Sequence, residues 1–384
     1  VTLSHLLSSL DATNRAPPLH GQADWVDLLL RCRSVICCRV SPKQKATVAR
    51  VVTRRLGDHV VTLAVGDGAN DVPMIQSASI GIGMQGAEGM QAVLASDVAL
   101  PQFRFLSPLL LVHGTWAYRR VTRTILYIFY KSLAYALSQF WFNPMCRWSM
   151  QPLYNIFTQM LFSVTFSGLP VLVFGVLEQA APRSLLLANP SLYQLGVQNR
   201  LFSLRDFCGF AVSGVFHSVV CSLIPLYAFN LAQRQDGKEH GLRQAGNTSF
   251  ALVVIVVNAV LLLTSKYLSL WTVASVSLSI LLFFGWELAI GELIMFAPDD
   301  YAEARVLFPS SSFYLVLLLG CGLAALPVLV AVGTHALLPN PIDVAKLRAK
   351  GVTVAADKAG RVYPSTSATA IPPTSPTTAT QQQT

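Results

Sequence analysis

The sequence has 384 residues, 53% hydrophobic and only 12% charged, with a mean hydropathy of +0.51. So little polar side-chain surface excludes an ordinary globular protein of this length and requires a lipid-embedded portion. The net charge of +9 is carried by scattered lysines and arginines without an aromatic-interleaved basic stripe, which excludes a nucleic-acid partner and reads as membrane orientation.

Seven cysteines, an odd number without a CxxC pair, favour reduced thiols over a zinc cage. Residue 1 is Val, and the opening stretch is neither a signal sequence nor a span, as expected of a fragment cut from a longer chain.

Residues 1–106 alternate short strand-like runs with helical ones. Val35–Val40 and Val60–Val65 are continuous apolar runs of buried-strand type, and Ser41–Arg55 opens on Ser-Pro and repeats apolar residues at helical spacing. Ser79–Met84 and Asp97–Leu100 add strands, with Asn70–Ala78 as a short helix between. The pattern predicts a mostly parallel sheet covered by helices.

The string Gly66-Asp67-Gly68-Ala69-Asn70-Asp71-Val72-Pro73 directly follows the second run. Glycines at the carboxyl end of a parallel strand allow a tight turn that exposes Asp67 and Asp71 in the crevice where open α/β sheets bind ligands. Two carboxylates so spaced hold one hard cation, and Mg2+, completed by waters and phosphate oxygens, suits them better than calcium or zinc. A plain Gly-Asp turn is the alternative for Gly-Asp-Gly alone; the full string argues against it. Arg39-Val40-Ser41-Pro42-Lys43-Gln44-Lys45 opens its helix at another strand end. Lys45, one turn in, can reach a phosphoryl group, while Arg39 lies nearer the strand and Lys43 reads as a solvated lysine.

From 107 to 337 long apolar stretches dominate. A spanning helix needs roughly 20 mainly apolar residues, and six stretches qualify: 124–143, 153–177, 207–231, 249–265, 268–294 and 312–336, the fourth being short. Arg119, Arg120 and Arg123 precede the first, Arg183, Arg200 and Arg205 fill the second connector, and Lys346, Arg348, Lys350, Lys358 and Arg361 follow the last. By the positive-inside rule these segments, and with them residues 1–106 and the tail 338–384, are cytosolic in a multi-pass membrane protein. Asn247-Thr248-Ser249 is a glycosylation sequon close to the next span, read as a chance match. From about residue 363 the chain is Pro, Ser, Thr, Ala and Gln, the composition of a disordered tail.

The two polar strings resemble the lysine and magnesium motifs of the P-type ATPases, whose phosphorylation domain is of the haloacid-dehalogenase type. The resemblance implies that residues 1–106 are the distal half of such an α/β, Rossmann-like domain, followed by an all-α bundle of six helices. It implies that Lys45 contacts a phosphoryl aspartate, Asp67 ligates Mg2+, Asp71 supports that site, and Arg39 and Asn70 border ATP. The family's phosphorylated Asp-Lys-Thr-Gly-Thr motif is absent from the 384 residues, so the chain alone is expected to be inactive.

Val35-Ile36-Cys37-Cys38-Arg39-Val40-Ser41-Pro42, Gly86-Ala87-Glu88-Gly89-Met90-Gln91-Ala92, Ala95-Ser96-Asp97, Gln102-Phe103-Arg104-Phe105-Leu106 and Leu110-Leu111-Val112-His113-Gly114 are similar to the phospholipid-flippase branch. That resemblance implies ATP-driven inward movement of a phospholipid and an accessory β-subunit.

Lys131 lies inside the first expected span, where an uncompensated charge costs at least ~2.5 to 3.5 kcal/mol. It either faces the lipid headgroup route or snorkels to an interface. Flippases usually carry Asn where this chain has Ser132, and a further Asn is replaced by Ser163 in the next span; serine lacks the amide's donor and acceptor pair. Cation pumps, the competing branch, need intramembrane carboxylates. The stretch 153–177 reads as free of them, and Glu287 and Glu292 read as structural or interfacial. Pro170 is expected to kink the second span beside Gly168, freeing carbonyls toward the pathway or merely adjusting packing. A non-catalytic membrane interaction module is the third alternative.

Overall fold

The computed structural model describes residues 22–57, 60–86, 89–149, 151–198, 202–231, 240–292, 303–337, 354–356 and 362–364. The chain divides into two compact units, Val1–Leu110 and Leu111–Thr384.

In the first unit, α1 (Gln22–Arg31) and α2 (Pro42–Leu56) precede a three-stranded parallel sheet of β1 (Leu63–Gly66), β2 (Ile80–Met84) and β3 (Val98–Leu100), in that order. Parallel neighbours need a crossover; α3 (Val72–Ser77) and α4 (Gln91–Leu94) supply it. Register pairs Val65 with Ile82 and Ile82 with Val98. Ala46, Ala64, Ile75, Ile82, Ala92 and Leu100 are buried. Asp97 pins the start of β2 twice, accepting from the Gly81 N–H at 2.8 Å and donating its own N–H to the Gly81 carbonyl at 2.9 Å.

One expected strand does not form. Val35–Val40 has no strand geometry, and Ile36 is 86% exposed. An apolar run becomes a strand only against a pairing edge, and none of the described residues pairs with this one.

The second unit is helical. It contains α5 (Thr115–Phe142), α6 (Ile156–Leu161), a π-helical segment Phe162–Phe166, α7 (Gly168–Leu177), α8 (Leu204–Leu231), α9 (Leu242–Thr264), α10 (Leu270–Ile290) and α11 (Ser311–Leu337). Short strands β4 (Val354–Ala356) and β5 (Val362–Pro364) pair antiparallel. Beyond β5, the expected disordered tail lies outside the described residues.

Five helices among the described residues are long and apolar enough to cross a membrane: Ile156–Leu177 taken as one, then Leu204–Leu231, Leu242–Thr264, Leu270–Ile290 and Ser311–Val330. The helix expected to cross first, α5, is not among them; its tyrosines, Lys131 and Gln139 dilute its apolar content. Exposed Leu281, Leu318 and Leu315 suit a lipid-facing surface. The expected short fourth span starts seven residues early, at Leu242, and is the most buried of the five. Its first turns carry Gln244, Thr248 and Ser249, all buried by protein, so apolar counting misses them. Thr248 and Ser249 are fully buried in the second turn of this helix, which agrees with the chance-match reading of the sequon.

The core is aromatic: Tyr135 stacks on Phe162 at 4.7 Å between centroids, and Phe250 meets Tyr154, Phe162, Phe166 and Phe283. Gly214 of α8 lets the backbone approach α5, since a Cβ there would sit 3.2 Å from the Tyr130 carbonyl.

Candidate functional site

The first site begins at the amino end of α2. Ser41 caps it: its Oγ accepts from the Gln44 N–H at 3.4 Å, Gln44 Oε1 accepts from the Ser41 N–H at 2.9 Å, and Pro42 fills the first helical position. This capping box explains the Ser-Pro-x-Gln string in purely structural terms. It leaves Lys45 in the first turn, where the helix dipole favours anions. A cation there runs against local preference and needs a partner.

That partner is Asp71. Lys45 Nζ donates to Asp71 Oδ1 at 2.7 Å, with the side chains 32% and 13% exposed. Asp71 Oδ2 accepts from the Asp67 N–H at 3.3 Å, tying the turn after β1 to the lysine. Gly66 makes the turn possible, because a Cβ on it would collide with the Asp71 Cβ. Asp67 is exposed, and no hydrogen bond to its carboxylate occurs among the described residues.

The three residues expected to do the chemistry therefore converge at the carboxyl end of β1. Asp71 is occupied by holding the lysine and the loop, whereas the Asp67 carboxylate is open. Arg39 and Asn70 are exposed and lie outside this hydrogen-bonded network; Arg39 adopts a left-handed φ of 52°. Lys43 is exposed.

No cluster of three His, Cys, Asp or Glu occurs among the described residues. One open carboxylate beside a second suits Mg2+, which keeps waters and phosphate oxygens.

The second site lies in the helical unit. Lys131 of α5 is 6% exposed, and its ammonium donates to Ser167 Oγ at 3.0 Å and lies 5.9 Å from the Phe162 ring. Ser167 in turn donates to the Phe162 carbonyl at 2.7 Å. Ser132 and Ser163, expected beside Lys131, are exposed. The hydroxyl that meets Lys131 is that of Ser167, because the helix break adds a π-turn between Phe162 and Phe166.

The break falls at Ser167, before the expected Pro170. Its carbonyls are taken by side chains: Phe162 by Ser167, and Phe166 by Asn258 Nδ2 at 2.9 Å. Glu292 forms a two-pronged pair with Arg305 at 2.8 and 2.6 Å.

Glu178, at the end of α7, was missed. It is 2% exposed, sits 3.7 Å from Arg119 Nε, accepts from the Lys266 and Tyr267 N–H groups at 3.0 and 3.3 Å, and gives its carbonyl to Arg120 Nε at 2.6 Å. This clasp joins segments 58 to 89 residues apart, and no local pattern announces such partners.

A bundle of apolar helices carrying a buried lysine, preceded in the chain by a small parallel sheet, defines an integral membrane protein. Residues 93–339 match the family described as phospholipid-translocating P-type ATPase, C-terminal, and the chain belongs to that family. It is 37% identical over 329 residues to probable phospholipid-transporting ATPase 5 of Arabidopsis thaliana, covering 83% of this chain and 26% of that protein. It is 43% identical over 244 residues to phospholipid-transporting ATPase 6 of the same plant, covering 63% and 20%. Mouse phospholipid-transporting ATPase IC is 42% identical over 293 residues, covering 76% and 22%. The chain thus spans about a fifth to a quarter of the length of these relatives. Lys45, Asp67 and Asp71 precede the matched family region.

Proposed function

We propose that this chain is part of a magnesium-dependent P-type pump that uses ATP to move a phospholipid toward the cytosolic leaflet. Residues 1–106 form the distal half of a haloacid-dehalogenase-like phosphorylation domain, 107–337 a six-span bundle including α5, and 338–384 a tail, with both end segments cytosolic. At 28 residues, α5 is about 42 Å long at ~1.5 Å per residue, enough to cross a hydrocarbon core of about 30 Å.

When bound, Mg2+ would neutralise phosphate oxygens. Asp67 would be its ligand, Asp71 fixes Lys45, and Lys45 would offer its ammonium to a phosphoryl group. Arg39 and Asn70 would border the ATP. The Asp71 carboxylate shapes the site: it holds the lysine and the Asp67 loop together, so the open carboxylate and the ammonium share one crevice.

The observation that carries the phospholipid reading is the buried Lys131 ammonium on Ser167. A cation pump strips its ion with carboxylates, but the break between α6 and α7 offers a cation and hydroxyls, which suit an anionic phosphate headgroup. Ser132 and Ser163, exposed nearby in sequence, are the further pathway residues. A β-subunit of the accessory flippase class completes the assembly.

The test is the ATPase rate of the purified complete protein with Mg2+, titrated separately with aminophospholipid vesicles and with metal ions. Stimulation by phospholipid is expected; stimulation by a metal ion alone would assign the chain to the cation branch.

A further inference from the structure

We propose that Asn258 is a positioning residue for the phospholipid step, latching the broken helix so that Ser167 meets Lys131. This rests on the reading that Lys131 lies on the headgroup route.

The break has a specific cause. In a continuous α-helix the Phe166 carbonyl would accept from the N–H four residues on, at Pro170, and proline has none. Asn258 replaces it. Its side chain is fully buried in α9, and Nδ2 donates at 2.9 Å both to the Phe166 carbonyl and to the Val254 carbonyl of its own helix. Both partners accept only, so the amide nitrogen must face them and the oxygen must face away.

Oδ1 has no hydrogen-bond partner among the described residues. Asn258 sits among Val253, Val254, Val256 and Val257, all buried. Packing alone would favour an aliphatic side chain there, because a buried acceptor without a donor is unfavourable. An amide at this place is explained by its donor. The connection then runs from Asn258 to the Phe166 carbonyl, along the backbone to Ser167, and from its hydroxyl to the Lys131 ammonium.

The experiment measures the phospholipid concentration giving half-maximal ATPase in the complete, purified protein, with the maximal rate read separately. Asn258→Leu, which fills the same space without a donor, is expected to raise that concentration roughly 3- to 15-fold. Ser167→Ala is expected to shift it comparably, and the double variant no further than either alone. Pro170→Ala returns an N–H to Phe166, so Asn258→Leu in that background should lose most of its effect.

If Asn258→Leu alone does not fold, the same logic requires Pro170→Ala to restore folding. An unchanged half-maximal concentration, independent multiplication of the Asn258 and Ser167 effects, or no rescue by Pro170→Ala would overturn the proposal. Lys131→Ala separates the two levels. If it shifts the response while Asn258→Leu does not, only the role of Asn258 fails; if Lys131→Ala also leaves the response unchanged, the headgroup reading fails.

Discussion

Lys45 and Asp71 are 26 residues apart in the chain and 2.7 Å apart in space. The ion pair is partly exposed, so its contribution to stability is small, about 0 to 1 kcal/mol; its value lies in position. Replacing Asp67 with Asn keeps the shape of the turn and removes the open charge. In the complete protein this is expected to reduce magnesium-dependent ATPase at least ~100-fold, measured as phosphate release; near-normal turnover would remove Asp67 from the site. Lys131→Ala is expected to raise the phospholipid requirement in the same assay. The aspartates and Lys45 were readable because their strings combine turn glycines, a capping box and charges that a plain turn does not need. Ser167 was not readable, because its contact depends on a π-turn that no residue type announces.

At the scale of elements, α2 depends on its cap. Ser41→Ala removes the acceptor for the Gln44 N–H and is expected to destabilise the first unit by about 1 kcal/mol, visible as a lower melting temperature. Lys45 should lose its place with it, so ATPase should fall alongside stability. Gly214→Val tests the α5 and α8 contact, where a Cβ already lies 3.2 Å from a backbone carbonyl. A cost of about 1 to 3 kcal/mol is expected, read as early loss of monodispersity on heating in detergent. The strands β1 to β3 were legible because apolar runs alternate with helical spacing. Val35–Val40 misled because composition gives no pairing partner. The start of α9 escaped notice because Gln244, Thr248 and Ser249 are buried against protein, where polar side chains are tolerated, rather than against lipid.

The whole molecule combines two kinds of order. One unit is a small parallel sheet whose strand ends gather charge, and the other is a helical bundle in which many buried polar groups pair: Tyr130 with His217 at 2.6 Å, Tyr154 with Ser138 and Ser249 at 2.7 and 2.9 Å, and Trp141 with Ser218 at 2.9 Å. Such bonds are individually modest in a membrane, averaging about 0.6 kcal/mol, but they fix which faces meet. Membrane residence was legible from composition, since 53% hydrophobic residues cannot be hidden in a water-soluble fold of this charge. The distant clasp of Glu178 on Arg119 and Arg120 was not, because its partners are set only by the packed bundle.

The proposed function requires the site at β1 to drive movement of a phospholipid through the helices that follow it in sequence. Its most direct test is transfer of a fluorescent phospholipid between leaflets of vesicles reconstituted with the complete protein and any required β-subunit, started by ATP and Mg2+. ATP- and Mg2+-dependent transfer that Asp67→Asn abolishes is expected. Transfer that persists in Asp67→Asn, or ATP-driven uptake of a metal ion with no phospholipid movement, would contradict it.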